Sequence, residues 1–127
     1  MTEQLLTETS SSFDNLIAGD QIQPITKEFT LLSGENLIRG TLLGKITASG
    51  KLVESDTVSI DGSEVPYAVL TKDTDATAGD TKTLAYVAGI FNSNVMTFGG
   101  AHTAASTYDA LRALSIFLTE NAVPSGD

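Results

Sequence analysis

Polar and apolar positions alternate most clearly between Ile25 and Thr47, in the run ITKEFTLLSGENLIRGTLLGKIT. Ile25, Lys27, Phe29 and Leu31 fall on one side of an extended chain, and Thr26, Glu28 and Thr30 on the other, the pattern of a half-buried strand. The period of two resumes past Gly40, with Leu42, Gly44 and Ile46 set against Thr41, Leu43, Lys45 and Thr47. Gly34 and Gly40 bracket the residues between and tolerate backbone angles that a side chain would penalise. Two strands joined by a corner are therefore predicted, with no obvious chemistry in the corner itself.

Further along, Ala48-Ser49-Gly50 marks a turn, and Lys51-Leu52-Val53 reads as a short strand able to pair back on residues 41–47. Glu54 to Glu64 is acidic and turn-rich, with a weak strand over Thr57 to Ile60. Pro66 to Leu70 is a compact apolar run that suits a buried strand beginning at its proline, where a missing donor matters least. Thr83 to Phe91 has strand composition; Val95 to Phe98 comes next as its hairpin-like partner, closed by Gly99-Gly100. One helix is predicted, Thr107 to Asn121. Ser106 and Asp109 open it as a capping box, Leu111, Leu114, Phe117 and Leu118 share a face, and Pro124 and Gly126 stop it. Strands and helices do not alternate as a parallel sheet requires, so the chain reads as mainly β with one C-terminal α-helix.

Residues 1–24 differ in character from the rest of the chain. They hold Glu3, Glu8, Asp14 and Asp20, while the first cation is Lys27. Leu5, Leu6, Phe13, Leu16 and Ile17 are scattered apolar residues whose mutual burial would not offset the ordering entropy. The expected organisation is an extended N-terminal arm, 1–24, and then a β-rich domain, 25–127. The five apolar residues are then candidate anchors for a partner surface, with the arm's backbone adding a strand to a sheet edge.

Charge narrows the partners. In 127 residues, 7 Lys and Arg face 16 Asp and Glu, a net charge of -9. That balance argues against nucleic acid, whose phosphates require clustered cations, and against anionic lipid. The sequence has no cysteine, so it offers neither a disulfide nor a thiolate nucleophile. No apolar run approaches the roughly 20 residues of a membrane span, and a soluble protein made in the cytoplasm is expected. Tryptophan is absent, which leaves few stacking platforms.

Candidate chemistry is sparse. His102 is the single histidine and has no nucleophile context, so a structural role is expected of it. Asp73, Asp75, Thr77 and Asp80 imitate the start of a calcium loop, but Gly79 occupies the seventh place and Leu84 the twelfth, where a bidentate Glu belongs. Gly40-Thr41-Leu42-Leu43-Gly44-Lys45 is one residue short of a phosphate loop and continues as a strand. Glu54, Asp56, Asp61 and Glu64 read as a charged loop. No catalysis, metal or cofactor is expected.

A wider resemblance joins these segments. Leu31 to Thr47, Val65 to Leu70, Asp73 to Asp80 and Tyr86 to Asn92 come in the same order as in the head decoration proteins of tailed bacteriophages, which the chain resembles in their lambda decoration protein D type. Leu16-Ile17-Ala18-Gly19-Asp20 is similar to the segment that leads into that family's domain. With the arm and helix, the likeness covers about Leu16 to Leu118. It implies a small β-barrel or sandwich-like domain and a non-catalytic cement protein on the outer surface of the virion. It further implies homotrimers at three-fold and quasi-three-fold positions of the expanded shell, with the arm ordering on the major capsid protein. The convincing helix departs from the short lambda form. A β-rich module binding a ligand or glycan is the alternative.

Overall fold

The computed structural model describes residues 16–19 and 21–120. Along the chain come β1 (Ile17–Gly19), β2 (Ile25–Leu31), β3 (Asn36–Leu37), β4 (Leu42–Lys45), β5 (Leu52–Glu54), β6 (Pro66–Leu70), β7 (Thr74–Asp75), β8 (Thr81–Asn92), α1 (Ala104–Arg112) and β9 (Ile116–Thr119). The fold is mainly β, as the alternation predicts.

The long β8 belongs to two sheets. Its first half pairs antiparallel with β2, from Thr81 opposite Leu31 to Ala88 opposite Ile25, and with β6 at Tyr86 and Ala85. β2 touches β5 in parallel at Leu31 and Leu52, β5 pairs with β4, and β4 with β6. The ring β8-β2-β5-β4-β6 closes a five-stranded barrel. The second half of β8 runs out of the barrel between β1, antiparallel, and β9, parallel. A register shift opposite Ile25 and Thr26 leaves Val87 as an extra residue, and such a bulge bends a strand where its pairing changes.

Because side chains alternate across a strand, the barrel wall has two apolar faces. Leu31, Leu43, Leu52, Ala68, Leu70, Ala76 and Ala85 pack together in one cluster. Leu42 and Val69, their neighbours in sequence, join Leu16, Phe91, Met96, Leu111 and Ile116 in the other. Helix α1, β1 and β9 supply that second layer.

Three expectations are corrected. Val95 to Phe98 forms no hairpin strand: Ser93–Val95 is a 3-10 turn capped by the Asn92 side chain, and only an isolated bridge ties Thr97 to Thr41. Thr57 to Ile60 is turn and coil, with the Val58 N–H donated to the Asp56 side chain instead of to a strand partner. The helix is shorter and earlier than 107–121. Its N-cap is Thr103, which accepts the Ser106 N–H while Ser106 Oγ accepts the Thr103 N–H. Past Arg112 the chain takes a positive φ of 73° at Ser115, which no α-helix accommodates, and Ile116–Thr119 becomes a strand. Leu114, Phe117 and Leu118 therefore do not share a helical face with Leu111, and Asn121, Pro124 and Gly126 lie outside the described residues. Two parallel pairs, β2 with β5 and β8 with β9, also occur where none was expected.

Candidate functional site

The sequence-predicted anchors divide in two. Leu16 is 1% exposed, packed in the outer core cluster beside Gly40, and its carbonyl accepts the Asn92 N–H at 2.8 Å. Ile17 opens β1, half-buried against β8. Both are built into the domain, so the described residues 16–19 of the expected arm share its core and sheet. Leu5, Leu6 and Phe13 lie outside the described residues. The next strand has an open edge. The Leu32 N–H reaches Leu52 O at 2.9 Å, so by the period of two the Thr30 and Glu28 N–H groups aim the same way. No described strand pairs there beyond Leu31.

Among the described residues, the two most exposed large apolar side chains stand in the segment from Ser55 to Val65. Ile60 is 96% exposed and Val58 79%, although such residues are usually among the most buried. Bonds hold this loop in shape. Ser55 Oγ, fully buried, donates to Ser63 O at 2.7 Å. His102 Nε2 stands 3.0 Å from Ser55 Oγ and 3.0 Å from Glu64 O. A carbonyl oxygen only accepts, so this nitrogen carries the proton and donates to the loop, a tautomer assigned from the network. Asp56 accepts from the Val58 N–H, Glu64 from the Gly62 N–H, and Thr57 Oγ1 from the Ala101 N–H. Asp61 accepts from both Ser63 Oγ and the Ser63 N–H; those bonds hold its carboxyl below the ordinary range. At Gly44 the loop crosses β4 so closely that a Cβ would stand 1.9 Å from Ser63 O.

Beside the loop is an acidic cleft of about 290 Å³, lined by Glu35, Glu54, Asp56 and Asp61 among others. Burial, then the charges of Glu35 and Asp56, push the Glu54 carboxyl up. Among the described residues no group of three or more acidic or histidine side chains could hold a metal ion. The imitation calcium loop is put to structural use: Asp73 accepts from the Arg39 N–H, and Asp80 from the Ser33 N–H while pairing with Lys51 at 2.6 Å.

On the helix side, α1 and β9 leave a mostly apolar groove of about 210 Å³, with Ala104, Ala105, Tyr108 and Leu118 in its walls and Glu120 at its rim. Elsewhere, Phe29 and Tyr67 meet edge to face at 5.7 Å, with the ammoniums of Lys27 and Lys45 over the respective rings.

Sequence reasoning missed two networks. One is the His102 buttress, where a structural role is expected but not the partners Ser55 and Glu64. The other is Arg39, whose guanidinium donates to Thr71 O at 2.8 Å and Tyr86 Oη at 3.1 Å, tying the corner to β8. Neither partner set lies near in sequence, so no local spacing announces it.

The described residues thus form an acidic β-barrel with a hydrogen-bonded, apolar-tipped loop and with Leu16 and Ile17 packed into the domain. The family model for the bacteriophage lambda head decoration protein D matches residues 5–117, and the chain belongs to that family of phage head decoration proteins. No curated protein matches the chain. No helix among the described residues is long and apolar enough to cross a membrane.

Proposed function

We propose that the protein cements the expanded phage head, binding as homotrimers at three-fold positions of the shell with its N-terminal residues ordered against the major capsid protein. The observation that carries this reading is the family match over residues 5–117, which takes in much of the arm as well as the barrel. Leu5, Leu6 and Phe13 are the proposed capsid-facing anchors. Leu16 and Ile17, packed into the domain, act as the arm's fixed root and transmit its hold on the shell to the barrel. The open edge of β2 supports strand pairing as the mode of contact close to that root.

A ligand that binds only the expanded shell stabilises that state by mass action. Three arms on one trimer raise the effective concentration of each, so modest single contacts sum to firm attachment. The net charge of -9 favours a neutral or basic seat on the capsid and disfavours the packaged nucleic acid as a partner. The role requires no catalysis or cofactor, with the protein made in the host cytoplasm and ending on the outer surface of the virion.

Co-sedimentation with expanded, undecorated shells tests the proposal. The full chain is expected in the pellet, and a chain beginning at Leu16 in the supernatant. Full-length protein that stays in the supernatant would overturn the reading; equal pelleting of the shortened chain would remove the arm from it.

A further inference from the structure

The Ser55–Val65 loop combines two features that a solvated surface turn does not need. It is preorganised by the Ser55, His102, Asp61 and Glu64 bonds, and it presents Val58 and Ile60 almost wholly to solvent. Docking elements gain from such preorganisation, since ordering is complete before binding. The same chain carries a shape to receive it. The groove between α1 and β9 has aliphatic and aromatic walls at Ala104, Ala105, Tyr108 and Leu118, and its 210 Å³ has room for a branched aliphatic side chain. Tyr108 is 41% exposed, so its ring is only half covered within the protomer.

We infer that the Val58 and Ile60 tip of one copy inserts into the α1–β9 groove of the next, so that the homotrimer proposed above, on which this inference rests, is a closed ring of such contacts. The two surfaces differ, which makes the contact heterologous, and a heterologous contact closes into a ring when its rotation permits. Around a three-fold axis each protomer faces one neighbour with its tip and the other with its groove. Near the axis the two surfaces must then lie close together on each protomer. They do: Ala101, three residues before α1, donates its N–H to Thr57 Oγ1 in the loop, and His102 bonds to the loop's base. Apolar fill supplies the attraction, because Asp56 and Asp61 flank the tip and Glu120 rims the groove. Copies carrying -9 each repel, so association strengthens as salt rises.

The absence of cysteine makes the contact directly testable. Ile60→Cys and Ala105→Cys would be introduced together and also separately, then oxidised in concentrated solution and on expanded shells. The double variant is expected to yield covalent dimers and trimers on non-reducing gels, and an equimolar mixture of the single variants only dimers, each joining one chain of either kind. Cross-linking confined to Ile60→Cys alone, or none joining the two positions in either setting, overturns the inference. Ile60→Asp provides a second reading: its melting should match the parent's while its sedimentation shifts to monomer at a concentration where the parent is trimeric. Unchanged trimers in Ile60→Asp would overturn the proposal. Pelleting of the parent protein with shells is scored separately, so loss of the decoration reading and loss of this contact are distinguishable.

Discussion

Gly44 sits where the docking loop lies on the barrel wall, and its missing side chain is what permits that crossing. Alanine there would drive a Cβ against Ser63 O, a backbone atom that cannot swing aside. Gly44→Ala is expected to destabilise the fold by about 1–3 kcal/mol, the usual range for overpacking, read as a lower denaturant midpoint with unchanged slope. Glu54 behaves oppositely. Its carboxyl is raised by burial and by Glu35 and Asp56, so below the ordinary value of 4.5 both folded and unfolded states are protonated and no penalty exists. As pH rises through the higher folded value, the folded state alone bears the cost of ionisation. Glu54→Gln should therefore raise the melting temperature at neutral pH, with the difference vanishing below that ordinary value. Asp80, lowered by its bonds from Lys51 and Ser33, contributes above its ordinary 3.8 and loses that contribution as pH falls through the lower folded value.

Among the elements, the end of α1 separates what is legible in the sequence from what is not. Leu111 is fully buried, while Leu114, which helical spacing would place beside it, is exposed past the break. Leu111→Ala should cost about 2–5 kcal/mol in thermal or denaturant unfolding, whereas Leu114→Ala should remain within about 0.5 kcal/mol. A continuous helix would make the two costs alike. Leu16→Ala should match the Leu111→Ala range, because Leu16 is a core residue at the root of β1. The alternation that predicts β2 and β4 and the apolar run that predicts β6 are strong signals because these strands line the apolar clusters, β2 on one face through Phe29 and Leu31, and β4 and β6 on both. Ile116–Thr119 escaped because a run of three apolar residues, Ile116 to Leu118, fits a helix face as well as a strand, and partners 27 residues upstream decide the matter. Residues 16–19 escaped for a related reason. Their apolar surface has no local partner, and residues far along the chain, from Leu42 to Ile116, bury it. The His102 buttress likewise spans 38 residues to Glu64, beyond any spacing rule.

At the scale of the whole molecule, two attachments are proposed for the barrel. Residues 1–15 precede a root buried in the outer core layer, and the Ser55–Val65 loop is fixed to the barrel by its own bonds. The loop, already shaped by those bonds, suits a partner shaped to meet it. An arm directed to the capsid and a loop directed to the neighbouring copy would let assembly of the ring and attachment to the shell reinforce each other through effective concentration. Membership of the head decoration family makes the shell the place to look. The most direct measurement is an electron-microscopy reconstruction of expanded, undecorated shells after incubation with the full chain. New density the size of three barrels over each three-fold position, with arms reaching into the capsid protein, is the predicted result. Shells indistinguishable from the untreated ones, at protein concentrations sufficient to saturate such sites, would contradict it.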